Sequence, residues 1–364
     1  MNEHIRIISS DFNLLGEIDD YESLIFIRRF FKVGEFELHI NINKNNTDKL
    51  QEGNLILLGA KVNKVGIIMH RENGIDENGE ATETLVIKGP TLKGVMKRRI
   101  TVPTGNQAYD NAVGSQETIM KQFVNNNIVN PSDISRKISQ VVIAPDLKRG
   151  KEDKWRTRFE NLADKLTDIG EYSELGWEVL LDINNAKWIF DVVEGKSLTA
   201  NQDILPPVIF SLDFDNIKNR HYIESSLDYK NVGYCGGKGE EDERLIQQVG
   251  EASGLHRTEI FIDCSQAENV EELTIQGQQK LNEFKKVKSF EVQIIPYSSF
   301  NFQEDYDLGD MVTVQDRKLG ITMNTRIIEL KEIYEENFNL EATFGINIPN
   351  LITAIKRETK KVVR

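Results

Sequence analysis

Residues 21–43, YESLIFIRRFFKVGEFELHININ, alternate apolar and polar side chains at period two on both sides of Val33–Gly34. A strand presents successive side chains to opposite faces, whereas a helix repeats its apolar positions every three or four residues. The pattern therefore predicts two paired strands joined by a turn. The alternation continues through 54–59 and 60–70, passes a loop carrying Asn73–Gly74 and Asn78–Gly79, and returns at 83–88 before Gly89–Pro90. Asn-Gly pairs tolerate the positive φ that a tight reversal requires. Short strands in quick succession, with no crossover helix between them, predict a small antiparallel barrel or sandwich. Composition agrees: Ile outnumbers Ala roughly three to one, and β-branched side chains suit pleated surfaces better than helices.

The character changes after Pro103. Thr104 and Gln107 stand at capping-box spacing, and Ala108, Ala112, Ile119, Met120 and Phe123 follow at helical intervals until Pro131. Trp155, Phe159, Leu162, Leu166 and Ile169 repeat every three or four residues, which predicts a second helix closed by Gly170. Residues 176–195 read as a hairpin, with Trp177, Val179 and Leu181 on one face and Trp188, Phe190 and Val192 on the return strand. Strand patterns resume after Pro206–Pro207. They are interrupted by two expected helices, one over 241–253 with Leu245, Ile246 and Val249 on one side, the other starting at Ser265 and Glu268.

The expected fold class is mainly β with α+β: two small antiparallel β-barrel domains, an α+β domain and a helical insert. The expected boundaries are 1–103 for the first barrel, 104–204 for the α+β domain, 205–238 and 286–350 for the second barrel, 239–285 for the mostly helical insert, and 351–364 for a basic tail.

Function classes are narrowed by charge and by what the motifs lack. The 364 residues carry 45 Lys+Arg against 58 Asp+Glu, a net −13. Stable binding of nucleic acid by its phosphates needs clustered positive charge, so that class is disfavoured. No apolar run is long enough to span a membrane and the N-terminus does not read as a signal peptide, so synthesis in the cytoplasm is expected. Cys235 and Cys264 are too few for a disulfide framework or a four-Cys zinc site and are expected to be reduced, buried thiols. The histidines His4, His39, His70, His221 and His256 form no metal-binding pair. Gly233, Gly236, Gly237 and Gly239 precede Glu240, Glu241, Asp242 and Glu243, whose carboxylates would repel a phosphate; a hinge is the better reading. Asp213, Asp215 and Glu224 approach an EF-hand count, but Ile217 and Lys218 break it. Glu304, Asp305, Asp307 and Asp310 read as a solvated turn rather than a cation site. The expectation is no enzyme activity, no catalytic, metal or cofactor-binding residues, and no cofactor.

Several segments, in order, resemble the baseplate hub or tail-associated proteins of long-tailed bacteriophages. They are Arg28–Arg29 leading to Gly34, Glu35, Phe36, Glu37 and Leu38; the 176–195 hairpin; 207–219 running on to 231–244; 306–316; and 344–356. What the resemblance implies is a structural protein of a phage or prophage tail tip. It would form a homotrimeric ring with six similar barrels around a DNA channel, joining the tail tube or distal tail ring to the tip. The implied partners are the distal tail protein ring, tail tube and tape-measure proteins, and tip or receptor-binding proteins, with DNA only in transit. Hubs of this family often continue into a peptidoglycan-degrading or receptor-binding domain; because this chain stops soon after the hub-like end, lytic activity in cis is not expected. Two alternatives stay open: a tail-associated peptidoglycan hydrolase, and a carbohydrate-binding host-attachment module using Trp177 and Trp188.

Overall fold

The computed structural model describes residues 3–75, 81–105, 107–265, 267 and 269–345. Asn78–Gly79, Glu268 and the basic tail lie outside the described residues, as does all but the start of the 344–356 segment. The chain divides into two compact units, Met1–Arg220 with Glu291–Phe344, and His221–Phe290 with Gly345–Arg364.

In the first unit the predicted hairpin forms, with Ser23–Arg29 antiparallel to Glu35–Asn41. These strands belong to an antiparallel run ordered Phe338–Gly345, Ile321–Tyr334, Ser23–Arg29, Glu35–Asn41, Ala81–Pro90 and His70–Ile75. A second sheet runs Leu14–Ile18, Ile5–Ile8, Leu55–Leu58, Val65–Ile67. Leu55–Leu58 is buried at all four positions, and its alternation divides it between two cores. Ile56 and Leu58 join Ile5, Ile7, Leu24, Phe26, Phe36 and Leu38; Leu55 and Leu57 turn toward the helices. Each fully buried Leu or Ile contributes about 1.5–3 kcal/mol, so both contacts matter.

No sheet closes into a barrel among the described residues. The two expected barrels are not separate sheets either, because Ile321–Tyr334 pairs directly with Ser23–Arg29, with Leu330 opposite Arg28. The cause is the length of Ile321–Tyr334, 14 residues. Its first half pairs with Met311–Asp316 and its second half with Ser23–Arg29 and Phe338–Gly345. A register shift between Ile327 and Glu329 lets the successive residues Ile327 and Ile328 both be buried.

Two helices of the first unit are displaced from their expected positions. Helix α1 spans Gln116–Val124 and begins at Ser115, whose Oγ accepts the Thr118 amide; Asp110–Ser115 before it is a strand. The capping box at Thr104 is not the start. Helix α2 spans Leu162–Ser173, with Asn161 as its cap and Glu174 in the left-handed region at its end. Trp155 instead lies on the strand Glu152–Thr157, paired with Asp110–Ser115, and Phe159 sits at φ 55 in the intervening turn. The apparent helical spacing arose because strand and helix side chains both point into one core. Gly170 lies inside α2, where a Cβ would come 2.8 Å from the Leu175 carbonyl oxygen. The 176–195 hairpin forms as expected from Gly176–Asp182 and Lys187–Val193, with Val141–Ile143 parallel beside the latter.

The second unit forms one of the two helices expected in the insert and replaces the other with a strand. Val232–Gly236 is the centre of a three-stranded sheet, antiparallel to Ile246–Val249 and parallel to Glu259–Asp263. The expected helix over 241–253 is a short 3-10 turn, Glu241–Glu243, followed by that edge strand. Ile246 and Val249 fit a strand as readily as a helix face, and pairing with Val232–Gly236 decides between them. Helix α3, Val270–Leu281, is capped by Asn269 rather than by Ser265. It covers a core of Cys235, Val249, Ile262, Cys264, Ala267 and Leu273. Gly277 makes that packing possible, since a Cβ there would lie 2.2 Å from Cys235 Sγ. The glycine run is not a hinge into a helix: Gly233 and Gly236 sit within the central strand.

Candidate functional site

Leu24, Phe26 and Arg28 follow one another on the inward face of Ser23–Arg29, and Leu330, Glu332 and Tyr334 do the same on Ile321–Tyr334. Period two therefore places a guanidinium and a carboxylate inside the protein. Arg28 Nε donates to Glu332 Oε1 at 3.2 Å, and the Tyr334 hydroxyl donates to Glu332 Oε2 at 2.6 Å. Lys64, from the turn before Val65–Ile67, bonds the same Oε2. On its other side Arg28 clamps Asp307, with Nη2 donating to Oδ1 at 2.6 Å and Nη1 to Oδ2 at 3.4 Å. Phe302 lies beneath both cations, its ring centre 5.9 Å from the Arg28 guanidinium carbon and 5.4 Å from Lys64 Nζ. Glu332 is fully buried.

Two cations and two carboxylates balance. Burial disfavours the Arg28 charge, but Asp307 and Glu332 outweigh it and hold its pKa above the ordinary arginine value. Burial likewise draws Lys64 below the usual lysine range, with Glu332 opposing it. For Asp307 burial pulls upward, and the Arg28 guanidinium more than offsets it, leaving the carboxyl below its usual range. Burial, then the adjacent Glu332, push the Tyr334 phenol up. These groups are bonded to one another, so their chemistry is anchoring: Coulombic gain against desolvation, with geometry fixing the register.

Beside the network is a cavity of about 180 Å³, lined among others by Arg28, Arg29, Lys93, Trp177, Glu178 and Asp307. Lys93 Nζ donates to the carbonyls of Arg29 at 2.8 Å and Phe30 at 3.1 Å, and lies 4.1 Å from the Trp177 ring centre. Trp177 is locked by its indole N–H on the Phe31 carbonyl, 2.6 Å away. A second buried carboxylate, Glu117 of α1, accepts the amides of Leu147 at 3.2 Å and Arg149 at 2.8 Å and bonds Lys121 at 2.6 Å.

The residues singled out in the sequence are dispersed. His4, His39 and His70 each face a glutamate, Glu17, Glu37 and Glu72 respectively. Asp213 pairs with Arg317 and Glu224 with Lys288. The expected solvated turn around Glu304 is in part a set of structural caps. Asp305 accepts the Asn301 amide, Asp310 accepts the amides of Lys196 and Asp307, and Asp307 holds Arg28. Among the described residues no group of three or more His, Cys, Asp or Glu could hold a metal ion. Cys235 and Cys264 are buried free thiols; the Cys264 side chain and burial push the Cys235 thiol up. Trp177 is core, and half-buried Trp188 packs 5.9 Å from Phe12. Sequence reasoning missed the Arg28–Glu332 network. Its signal was present: a charged residue on the apolar face of each of two alternating strands.

The fold is that of phage tail proteins. The 43 kDa tail protein of prophage MuSo2 from Shewanella oneidensis matches with a TM-score of 0.61 at 12% identity, over 94% of this chain and 98% of that one. A tail protein from Neisseria meningitidis MC58 matches at 0.58 and 13% identity, over 95% and 97%. Prophage tail protein gp18 from Listeria monocytogenes EGD-e matches at 0.58 and 10% identity, over 100% of both chains. No curated protein sequence matches. Residues 4–346 match the family described as Siphovirus ReqiPepy6 Gp37-like protein. The chain belongs to this family, and its fold is that of the phage tail proteins named above.

Proposed function

We propose that the chain is the hub of a phage or prophage tail tip, a homotrimeric ring around the DNA channel that joins the tail tube or distal tail ring to the tip. The observation that carries this reading is the likeness in fold to prophage tail proteins over nearly the whole chain. Its partners would be the distal tail protein, tube and tape-measure proteins above it and tip or receptor-binding proteins below it. Cyclic symmetry supplies a lumen without a special loop. The net charge of −13 acquires a use in this setting, because carboxylates facing the lumen repel phosphates and keep DNA transit from becoming binding. Light scattering of the purified full chain tests the assembly. The expected mass is about three times the 41.6 kDa of one chain; a monomer at high concentration that also fails to form rings with its tail partners contradicts it.

A further inference from the structure

Residues 97–158 carry 12 Lys+Arg against 6 Asp+Glu, a local excess of positive charge in a chain of net −13. The fold gathers part of that excess on one surface of the first unit. Arg99 Nε donates to the Arg136 carbonyl at 2.8 Å, and Arg136 in turn bonds the Ile100 carbonyl. The Asn161 side chain donates to the Lys97 carbonyl at 3.0 Å, and the Phe159 amide donates to the Thr101 carbonyl at 2.7 Å. Lys97, Arg98, Arg99, Arg136, Lys137 and Arg158 are thereby brought together, and none of the six forms an ion pair among the described residues. The carboxylates at the border are engaged elsewhere: Glu160 pairs with Lys165 at 3.0 Å, and Asp133 accepts the Ser135 amide at 2.9 Å. Burial, then the neighbouring Arg99 charge, draw Arg136 below the ordinary arginine value, with Asp133 opposing. Apolar side chains stand among these cations, since Ile100, Ile134 and Phe159 are exposed. Phe159 sits at φ 55, a conformation unfavourable to a bulky residue, with the Arg158 guanidinium 5.3 Å from its ring centre. Arginine and exposed aromatic side chains together have the composition of a protein interface.

We propose that this surface docks a second copy of the chain through that copy's exposed acidic run, 240–243. The contact presupposes the ring proposed above and supplies its chemistry. Copies of net −13 repel one another, so an interface between them needs local charge of opposite sign. Contacts around a three-fold ring are heterologous: two different patches meet, and every copy offers one of each. Glu240, Glu241, Asp242 and Glu243 are all exposed, at and just before a 3-10 turn, and none has an ion-pair partner among the described residues. Ile246, close by in sequence, is exposed as well and offers apolar area to Phe159 and Ile134. A phosphate polymer matches the charge but would leave Ile100 and Ile134 in water.

Charge reversal tests the contact on the full-length chain. The double variant Lys97→Glu, Arg98→Glu and the double variant Glu240→Lys, Asp242→Lys alter exposed side chains only, and circular dichroism checks that each folds. Sedimentation velocity should find the unaltered chain trimeric. Each reversal should weaken association at least about tenfold, about 1.4 kcal/mol, and a chain carrying both reversals should regain the trimer. Pairing of the two surfaces within one chain would leave the mass unchanged. Should a reversal not fold, Phe159→Asn still decides: Asn suits a positive φ, so this variant should raise Tm in the dissociated chain and yet weaken association. An unaltered trimer that both reversals and Phe159→Asn leave intact overturns the contact while the ring stands. An unaltered chain that is monomeric alone also overturns it, and the ring falls too only if none forms with the tail partners. Saturable binding of oligodeoxythymidylate that Lys97→Glu, Arg98→Glu abolishes while its trimer persists assigns the surface to a phosphate polymer instead.

Discussion

Arg28 Nε and Glu332 Oε1 meet at 3.2 Å although 304 positions separate them along the chain. The contact sits on the buried face where Ser23–Arg29 pairs with Ile321–Tyr334, so the early hairpin and the last long strand are fastened at one point. A slip of either strand by one residue would turn the charge out of the network and the apolar residues out of the core.

Glu332→Gln should therefore be strongly destabilising. It leaves Lys64 without its carboxylate and Arg28 with Asp307 alone, and removing one partner from a buried ionic cluster costs about 3–5 kcal/mol. Tyr334→Phe removes one hydrogen bond from the same carboxylate and should cost about 1 kcal/mol. Urea unfolding of the three proteins checks the order. A loss under about 1 kcal/mol for Glu332→Gln would show that the cluster behaves like a surface pair.

Gly309 is required by two constraints at once. Its φ is 94°, and a Cβ would lie 2.3 Å from Phe30 Cε2. Gly309→Ala should lower stability by about 1–3 kcal/mol from the backbone alone, plus the displacement of the Phe30 ring. Gly320 supplies the control, since its φ of 64° is also positive but its Cβ would meet open space. Gly320→Ala should cost less, and the difference in Tm between the two variants reports the Phe30 clash.

The Arg28–Asp307 pair makes stability depend on acid pH. Asp307 is held below its ordinary pKa in the folded protein, so the unfolded chain binds its proton more readily. The contribution is complete above the unfolded value of about 3.9 and is lost as pH falls through the lower folded value. Asp307→Asn should flatten the acid limb of the stability curve below about pH 4. An unchanged limb in Asp307→Asn would mean that another carboxylate carries the acid sensitivity.

Legibility in the sequence followed how local the determining interactions are. The hairpins at 21–43 and 176–195 were readable because each carries its own alternation and turn. The strand Glu152–Thr157 was not, because Trp155 and Leu162 enter the same core from different elements and imitate one helical stripe. Ile246–Val249 was misread for a related reason: four residues cannot show a period, and their partner Val232–Gly236 lies ten residues upstream across the glycine run. The sheet joining both expected barrels was hidden because it depends on pairing between opposite ends of the chain. At the candidate site Arg28 stood within a segment that carried the family resemblance, but its partner Glu332 sat in an unremarked strand. Lys93 gave no signal at all, since only tertiary burial distinguishes it from a solvated lysine.

The proposed ring of three chains at the tail tip can be seen or refuted in a cryo-electron microscopy reconstruction of the tail, computed without imposed symmetry. Three copies should form a closed ring at the distal end of the tube, with the DNA channel through its centre. A tip with one copy, an open arrangement, or this chain located elsewhere in the particle would contradict it.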